Sequence, residues 1–136
     1  MDKAIALIKR WEGFSPVPYV CPAGYWTIGY GTLCTKNHPP IDEATAEKYL
    51  VAEVVKVLPG ILRMSGNLTG NKLEAVVSWV YNLGLGRYQA STMRKRINEG
   101  NWDAAAIEMQ RWVYGGGKKL AGLVARRREE AALLIS

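Results

Sequence analysis

Glu12 is the residue of this sequence that is best placed to donate a proton in a reaction. Apolar side chains recur at helical spacing from Ala4 to Trp11, and Asp2 can cap the start of the segment, so the pattern predicts a helix that ends near Glu12 and Gly13. The negative end of the helix dipole modestly disfavours an ionised carboxylate, which suits a general acid. Hydrolysis of a glycosidic bond needs such a donor, together with a group across the sugar ring that attacks or directs a water.

Two further side chains follow Glu12 at a defined spacing. Eight residues separate Glu12 from Cys21, and five separate Cys21 from Thr27. A thiol ionises less readily than a carboxylic acid, so Cys21 could attack as a thiolate, act as a base toward a water, or polarise a water that Thr27 also holds. The other interpretations are that Cys21 is a small buried hydrophobe or that it pairs with Cys34 in a disulfide. The spacing favours a chemical role.

The segment that carries Cys21 and Thr27 differs in amino-acid composition from the rest of the chain. Residues 14–40 are rich in Pro, Gly, Tyr and Thr, which predicts a small β-hairpin region. Because side chains alternate along a strand, Trp26, Ile28 and Tyr30 should share one face. Thr27 should point to the other face, away from the apolar side chains.

The sequence after the hairpin region predicts helices. Asp42 can cap a long helix that ends at Pro59 and Gly60, and Gly84 should end a helix of the core. The remaining signals are two caps, a flexible turn and a last helix, at Ser91, Asn101, Gly115–Gly117 and Leu123–Ile135.

These elements predict a single α+β domain that is mostly helical and has two lobes. The expected parts are a small β lobe at about 13–41, a linking helix at about 42–59, and a helical lobe formed by about 60–136 together with 1–12. The cleft between two lobes is the usual place for a ligand.

Composition narrows the function classes. Eighteen Lys and Arg against twelve Asp and Glu give a net charge of +6, which favours polyanionic partners such as nucleic acid, anionic lipid or bacterial envelope polymers. Two cysteines and the single His38 make no metal-ligand pattern, so we expect no metal ion and no other cofactor. The apolar stretch Ala4–Ile8 is short and flanked by charges, so we expect no stable membrane insertion of this chain.

Several short blocks accompany the spacing of Glu12, Cys21 and Thr27. They are Glu12–Phe14, Tyr19, Gly24, Trp26–Gly31, Val80–Gly84, Ser91–Met93, Asn98–Gly100, Arg111–Trp112 and Gly122–Arg127. In this order, and with Glu, eight residues, Asp or Cys, five residues and Thr, the sequence resembles the phage-type lysozymes of glycoside hydrolase family 24. The resemblance covers nearly the whole chain.

The resemblance implies a muramidase with a lysozyme fold. Such an endolysin would hydrolyse the β-1,4 bond between N-acetylmuramic acid and N-acetylglucosamine in bacterial peptidoglycan and cause lysis of the host cell. Glu12 would be the general acid, Cys21 would occupy the second catalytic position, and Thr27 would help to hold a water or the neighbouring catalytic group. We expect a monomer that is made in the host cytoplasm and acts on the cell wall, in the periplasm of a Gram-negative host.

Substrate contacts carry over from the resemblance to three positions, Leu33, Asn82 and Arg126. Without the resemblance these residues would be interpreted as core, cap and solvated face, respectively. Some members of the family also use cysteine exchange as an activity switch, which would fit a bond between Cys21 and Cys34.

Two other function classes compete with an enzyme. The run Arg126–Arg128 and the net charge could belong to a nucleic-acid-binding module, although no helix-turn-helix, zinc or RNA-binding signature accompanies them. The basic final helix could disrupt membranes without catalysis, but Glu129 and Glu130 weaken that interpretation.

Overall fold

The computed structural model describes all residues from Met1 to Ser136. It contains seven α-helices and five short β-strands. The helices are α1 (Asp2–Glu12), α2 (Glu43–Met64), α3 (Gly70–Leu83), α4 (Leu85–Ala90), α5 (Thr92–Asn98), α6 (Trp102–Met109) and α7 (Ala121–Ile135). The strands are β1 (Ser15–Val20), β2 (Trp26–Gly29), β3 (Thr32–Leu33), β4 (Tyr114–Gly115) and β5 (Lys118–Lys119). The expected mostly helical architecture with a small N-terminal β region is present, and the second short sheet, formed by β4 and β5, was not predicted.

The first sheet places Thr27 among the residues that could act with it. Strands β1, β2 and β3 are antiparallel, and Thr27 of β2 lies opposite Tyr19 of β1 and opposite Leu33 of β3. Directly opposed residues of an antiparallel pair point to the same face, so these three side chains share one face. Thr27 is nevertheless buried, as is Ile28 on the opposite face.

The first helix begins differently from the expectation. Asp2 is the first helical residue, and its carboxylate does not cap the helix, which starts after Met1. The side chain of Glu74 in α3 instead accepts a hydrogen bond from the free backbone N–H of Ala4 at 3.0 Å. A distant residue therefore satisfies the donor that a local cap would have used. The predicted end of the helix at Glu12 and Gly13 is confirmed.

Helix α2 continues beyond its predicted end. Asp42 caps the helix as expected, because its Oδ1 accepts from Thr45 N at 2.8 Å, but Pro59 and Gly60 lie inside the helix. A Cβ on Gly60 would lie 2.9 Å from Cδ1 of Leu85, so Gly60 allows close packing against α4. Burial of Ile61 after the proline is favourable and offsets part of the cost of a proline within a helix.

The remaining boundaries follow local signals. Gly84 ends α3, and Ser91 and Asn101 cap α5 and α6 by accepting from backbone N–H groups, all as predicted. The last helix begins at Ala121, two residues before the expected Leu123. Of the predicted glycine turn, Gly115 is the last residue of β4, and Gly116 and Gly117 connect β4 to β5.

The core lies among the helices, with α3 and α7 at its centre. The side chain of Trp79 in α3 is fully buried, and so is that of Arg127 in α7. None of the helices is both long enough and apolar enough to cross a bilayer.

Candidate active site

Glu12 is the last residue of α1 and is held from two sides. Its side chain keeps 17% of its surface exposed, and its Oε2 accepts a hydrogen bond from Nη1 of Arg126 at 2.6 Å. On the other side its carboxyl group packs against the backbone of Gly31, in the turn after β2. A carboxyl group that is fixed in this way and still reaches the surface has the geometry that proton donation requires.

Arg126 reaches Glu12 from the first half of α7. It also donates from Nη2 to the carbonyl oxygen of Ser78 at 3.2 Å, and only 3% of its side chain is exposed. The solvated-face interpretation of Arg126 is therefore wrong. The guanidinium joins α7 to both α1 and α3, and its fork geometry fixes the orientation of the Glu12 carboxylate.

An open depression of about 290 Å³ borders Glu12. Its walls are formed by Glu12, Gly13, Phe14, Ser15 and Tyr19. Burial raises the pKa of Tyr19, and the negative charges of Glu12, Cys21 and Cys34 raise it further. The Tyr19 hydroxyl is thus within electrostatic reach of both Glu12 and Cys21, and it stays protonated near neutral pH.

Cys21 lies directly after β1 and forms a pair with Thr27. Burial by itself raises the pKa of the Cys21 thiol, but hydrogen bonds from the Tyr25 backbone, the Thr27 side chain and the backbone of Ala23 and Gly24 outweigh it, so the pKa is lowered. The Thr27 hydroxyl also lies 3.0 Å from the carbonyl oxygen of Tyr25, to which it can donate its single proton. The hydroxyl therefore donates to Tyr25 in this structure, and it must rotate to donate to the sulfur.

The two cysteines are free thiols, and the sheet keeps them apart. Cys21 continues β1 beside β2 through its bond to Tyr25 O, whereas Cys34 continues β3 on the other side of β2 through its bond to Trp26 O. Two strand spacings of about 4.8 Å therefore lie between their backbones, and a disulfide tolerates a Cα separation of at most about 7 Å. The pairing of Cys21 with Cys34, one of the alternatives that the sequence left open, does not fit this arrangement.

Comparison with known proteins identifies the family. The model of the family described as phage lysozyme matches residues 9–130. The chain belongs to the phage lysozyme family. The resemblance to the phage-type lysozymes is thereby confirmed.

Individual relatives agree with this assignment. The chain is 36% identical over 143 residues to an endolysin of Acyrthosiphon pisum secondary endosymbiont phage 1, covering 99% of this chain and 97% of the relative. It is 38% identical over 137 residues to an endolysin of Bacillus phage B103, covering 97% of this chain. The chain spans only about half of that second relative, 52% of its length.

A solved structure confirms the fold class. The muramidase domain of SpmX from Asticaccaulis excentricus superposes with a TM-score of 0.90 at 27% identity, covering 100% of this chain and 97% of that domain. The expected α+β lysozyme fold is therefore confirmed.

The phage lysozyme fold separates two of the predicted substrate-binding residues. Leu33 is 70% exposed and lines a second cavity of about 400 Å³, whose walls include Gly31, Glu53 and Tyr81. Asn82 lines neither this cavity nor the depression at Glu12, and its buried Oδ1 has no hydrogen-bond partner within the protein. The preceding residue, Tyr81, lines the second cavity instead and donates to Tyr30 O at 2.6 Å.

Sequence reasoning missed two residues beside Glu12, Tyr19 and Gly31, and one residue, Glu130, that contacts its partner Arg126. Tyr19 was recognised only as part of a block, although its position two residues before Cys21 on a strand places both side chains on one face. Gly31 contacts Glu12 through its backbone, for which composition gives no signal. Glu130 contacts Arg126 and follows it by four residues on α7, a spacing that indicates a helical ion pair.

The basic run at Arg126–Arg128 is not an exposed basic surface. Arg126 and Arg127 are buried in ion pairs, and only Arg128 is exposed. The nucleic-acid and membrane interpretations both assumed that these arginines are exposed. That assumption is wrong for Arg126 and Arg127. A buried arginine is neutralised by protein carboxylates and is not available to a phosphate.

Proposed function

We propose that this phage lysozyme domain is a muramidase that hydrolyses the β-1,4 bond between N-acetylmuramic acid and N-acetylglucosamine in bacterial peptidoglycan. Glu12 is the general acid, and Cys21 with Thr27 positions or activates the attacking water. One observation carries this proposal. Tyr19 lines an open depression together with Glu12, lies directly opposite Thr27 in the sheet, and precedes Cys21 by two residues.

In the proposed reaction each group has one task. Glu12 gives its proton to the glycosidic oxygen as the bond from that oxygen to the anomeric carbon breaks. A water held by Cys21 and Thr27 forms the new bond to the anomeric carbon and gives up a proton to the Cys21 thiolate. The lowered pKa of Cys21 supplies that thiolate at a lower pH than an ordinary cysteine would.

Direct attack by Cys21 is the alternative within the same site. The thiolate would then form a covalent glycosyl-enzyme that water hydrolyses, and the product would keep the anomeric configuration of the substrate. Attack by water in a single step inverts that configuration. Proton NMR of the first product formed from a soluble glycan oligomer distinguishes the two, and mass spectrometry of the intact enzyme detects a glycosylated Cys21.

The glycan strand is expected to run through the cleft between the β lobe and the helical lobe, with Leu33 beside it, whereas the buried Arg126 acts through Glu12. The net charge of +6 attracts the enzyme to anionic envelope polymers. We propose that the domain acts on the cell wall as a monomer without a cofactor. Size-exclusion chromatography with light scattering tests the monomer.

Substitution of Glu12 by Gln tests the proposed function. Gln keeps the shape of the side chain but cannot donate an acidic proton, so clearing of purified peptidoglycan should slow by about 10²–10⁴-fold. Glu99→Gln is a matched control, because Glu99 is an exposed residue that contacts only Arg96 through its side chain. Equal activity of the Glu12→Gln variant and the parent would contradict the proposal.

Product analysis completes the test. A hydrolase releases glycan fragments with free reducing ends, whereas a transglycosylase releases anhydro sugars that are lighter by one water. Leakage of anionic lipid vesicles that survives Glu12→Gln would favour membrane disruption instead.

A further inference from the structure

Arg126 has two carboxylate partners, and the proposed mechanism uses only one of them. Its Nη1 lies 2.6 Å from Oε2 of Glu12, and its Nε lies 3.3 Å from Oε2 of Glu130. The side chain of Glu130 is fully buried, so it does not reach the glycan cleft. The function of Glu130 must therefore be exerted through its neighbours.

Glu130 is held firmly within the core. Ser78 Oγ donates to its Oε2 at 2.5 Å, and Arg127 Nη2 donates to the same oxygen at 3.3 Å. Arg127 Nε lies 2.7 Å from Oε1 of Glu130, but the direction of the N–H is not that of a hydrogen bond, so this contact is an ion pair only. Glu130 thus links α3 to both buried arginines of α7.

The charges of this cluster bear directly on Glu12. An arginine beside a carboxyl group favours its ionised form, whereas a general acid must carry a proton. Burial lowers the pKa of Arg127 to about 10, so Arg127 is still charged at neutral pH and adds to the positive charge near Glu12. Burial raises the pKa of Glu130, and its contacts with Arg127 and Arg126 lower it again only in part, so the negative charge of Glu130 depends on these two arginines.

We propose that Glu130 is a positioning residue that shares Arg126 with Glu12. It anchors the guanidinium in the orientation that fixes the Glu12 carboxyl group, and its negative charge offsets the arginine so that Glu12 can hold the proton it donates. This inference rests on the proposed function, in which Glu12 is the general acid.

Other ionisable groups also face Glu12 from the elements around it. They are Tyr19 of β1, Tyr81 of α3, and Arg126 and Arg127 of α7. Burial raises the pKa of both tyrosines, so both are neutral near pH 7. Substitutions of Glu130 and Arg127 leave these tyrosines and Cys21 in place. They change only the net charge of the α7 residues near Glu12.

Two substitutions of opposite sign test the proposal. In an enzyme with an essential general acid, the basic limb of the pH dependence of kcat/KM reports loss of the acid's proton. Glu130→Gln removes a negative charge, so the basic limb should move to lower pH, by about one unit, and kcat at pH 7 should fall while KM stays the same. Arg127→Met removes a positive charge and leaves Glu130 paired with Arg126, so the limb should move to higher pH.

Glu129, the residue before Glu130, offers a matched control. Glu129→Gln is the same chemical change one position earlier, at a residue that bonds Arg10 and Trp11 rather than Arg126. It should leave the pH profile and kcat unchanged. A merely structural role of Glu130 would lower the melting temperature without moving the basic limb in opposite directions in the two variants.

Each outcome decides the inference. Opposite shifts support it, and so does an upward shift in Arg127→Met if Glu130→Gln does not fold. Unchanged limbs, or limbs that move in the same direction, overturn it. Failure of the proposed function can be distinguished from failure of this inference. In that case the parent enzyme would release no glycan fragments, or the Glu12→Gln variant would release them as well as the parent does.

Discussion

A Cβ atom on Gly31 would lie 2.5 Å from Oε1 of Glu12 and 2.9 Å from its Cδ. The backbone of the turn after β2 therefore packs directly against the carboxyl group of Glu12. Gly31 also has a φ of +83°, in the region that favours glycine. Together with the hydrogen bond from Arg126, this contact leaves the carboxyl group little room to move.

Gly31→Ala should inactivate the enzyme by displacing Glu12. The new methyl group cannot share space with the carboxyl group, and a shift of about 1 Å in a catalytic group can lower the rate by about 10²-fold. We expect kcat on soluble glycan oligomers to fall by this factor, with a loss of stability of about 1 kcal/mol from the backbone conformation.

Gly100→Ala is the control for that backbone cost. Gly100 has a φ of +72°, and no atom lies within 4 Å of the position of its added Cβ. It should lose a similar amount of stability in a thermal melt and keep its kcat. If the two variants had the same kcat, the contact between Gly31 and Glu12 would not matter for the reaction.

The predictions that succeeded from sequence depended on local signals. The end of α1 at Glu12, the cap at Asp42 and the stop at Gly84 are each determined by residues within one helical turn. Strand alternation placed Thr27 on the face opposite Ile28, in agreement with the observed register. Such features depend on backbone geometry that a short segment carries by itself.

The features that could not be predicted depend on contacts between distant segments. Arg126 follows Glu12 by 114 positions, so only the folded chain shows that they meet. Likewise, Pro59 lies within α2 because the following residues pack against the core, and Asp2 is no cap because Glu74 satisfies the N–H of Ala4. In each case tertiary packing outweighs a local preference.

The two cysteines should differ in their reaction with iodoacetamide. The thiolate is the reactive form, and hydrogen bonds lower the pKa of Cys21, whereas burial raises the pKa of Cys34. Cys21 should therefore be alkylated at a lower pH than Cys34. Peptide mass spectrometry of samples quenched at a series of pH values measures the midpoint for each residue.

Activity after partial alkylation links this difference to function. At a pH that modifies Cys21 alone, loss of peptidoglycan clearing should parallel the modified fraction, and Cys34→Ser should behave like the parent. The same spectra, recorded without reductant, should contain no peptide pair joined by a bond between Cys21 and Cys34. Retention of full activity after complete modification of Cys21 would exclude it from the reaction.

Thr27→Val should weaken the thiolate of Cys21 without disturbing the sheet. Val keeps the branched shape that suits β2 but removes the hydroxyl that lowers the pKa of the Cys21 thiol. A hydrogen bond to a charged group contributes about 1.5–3 kcal/mol, so the alkylation midpoint of Cys21 should rise by about one pH unit and kcat should fall by about tenfold. Thr27→Ser retains the hydroxyl and should restore both values. The buried Thr27 hydroxyl can instead keep its hydrogen bond to the carbonyl of Tyr25. An alkylation midpoint of Cys21 that stays the same in Thr27→Val would mean that it does so and that Thr27 does not activate Cys21.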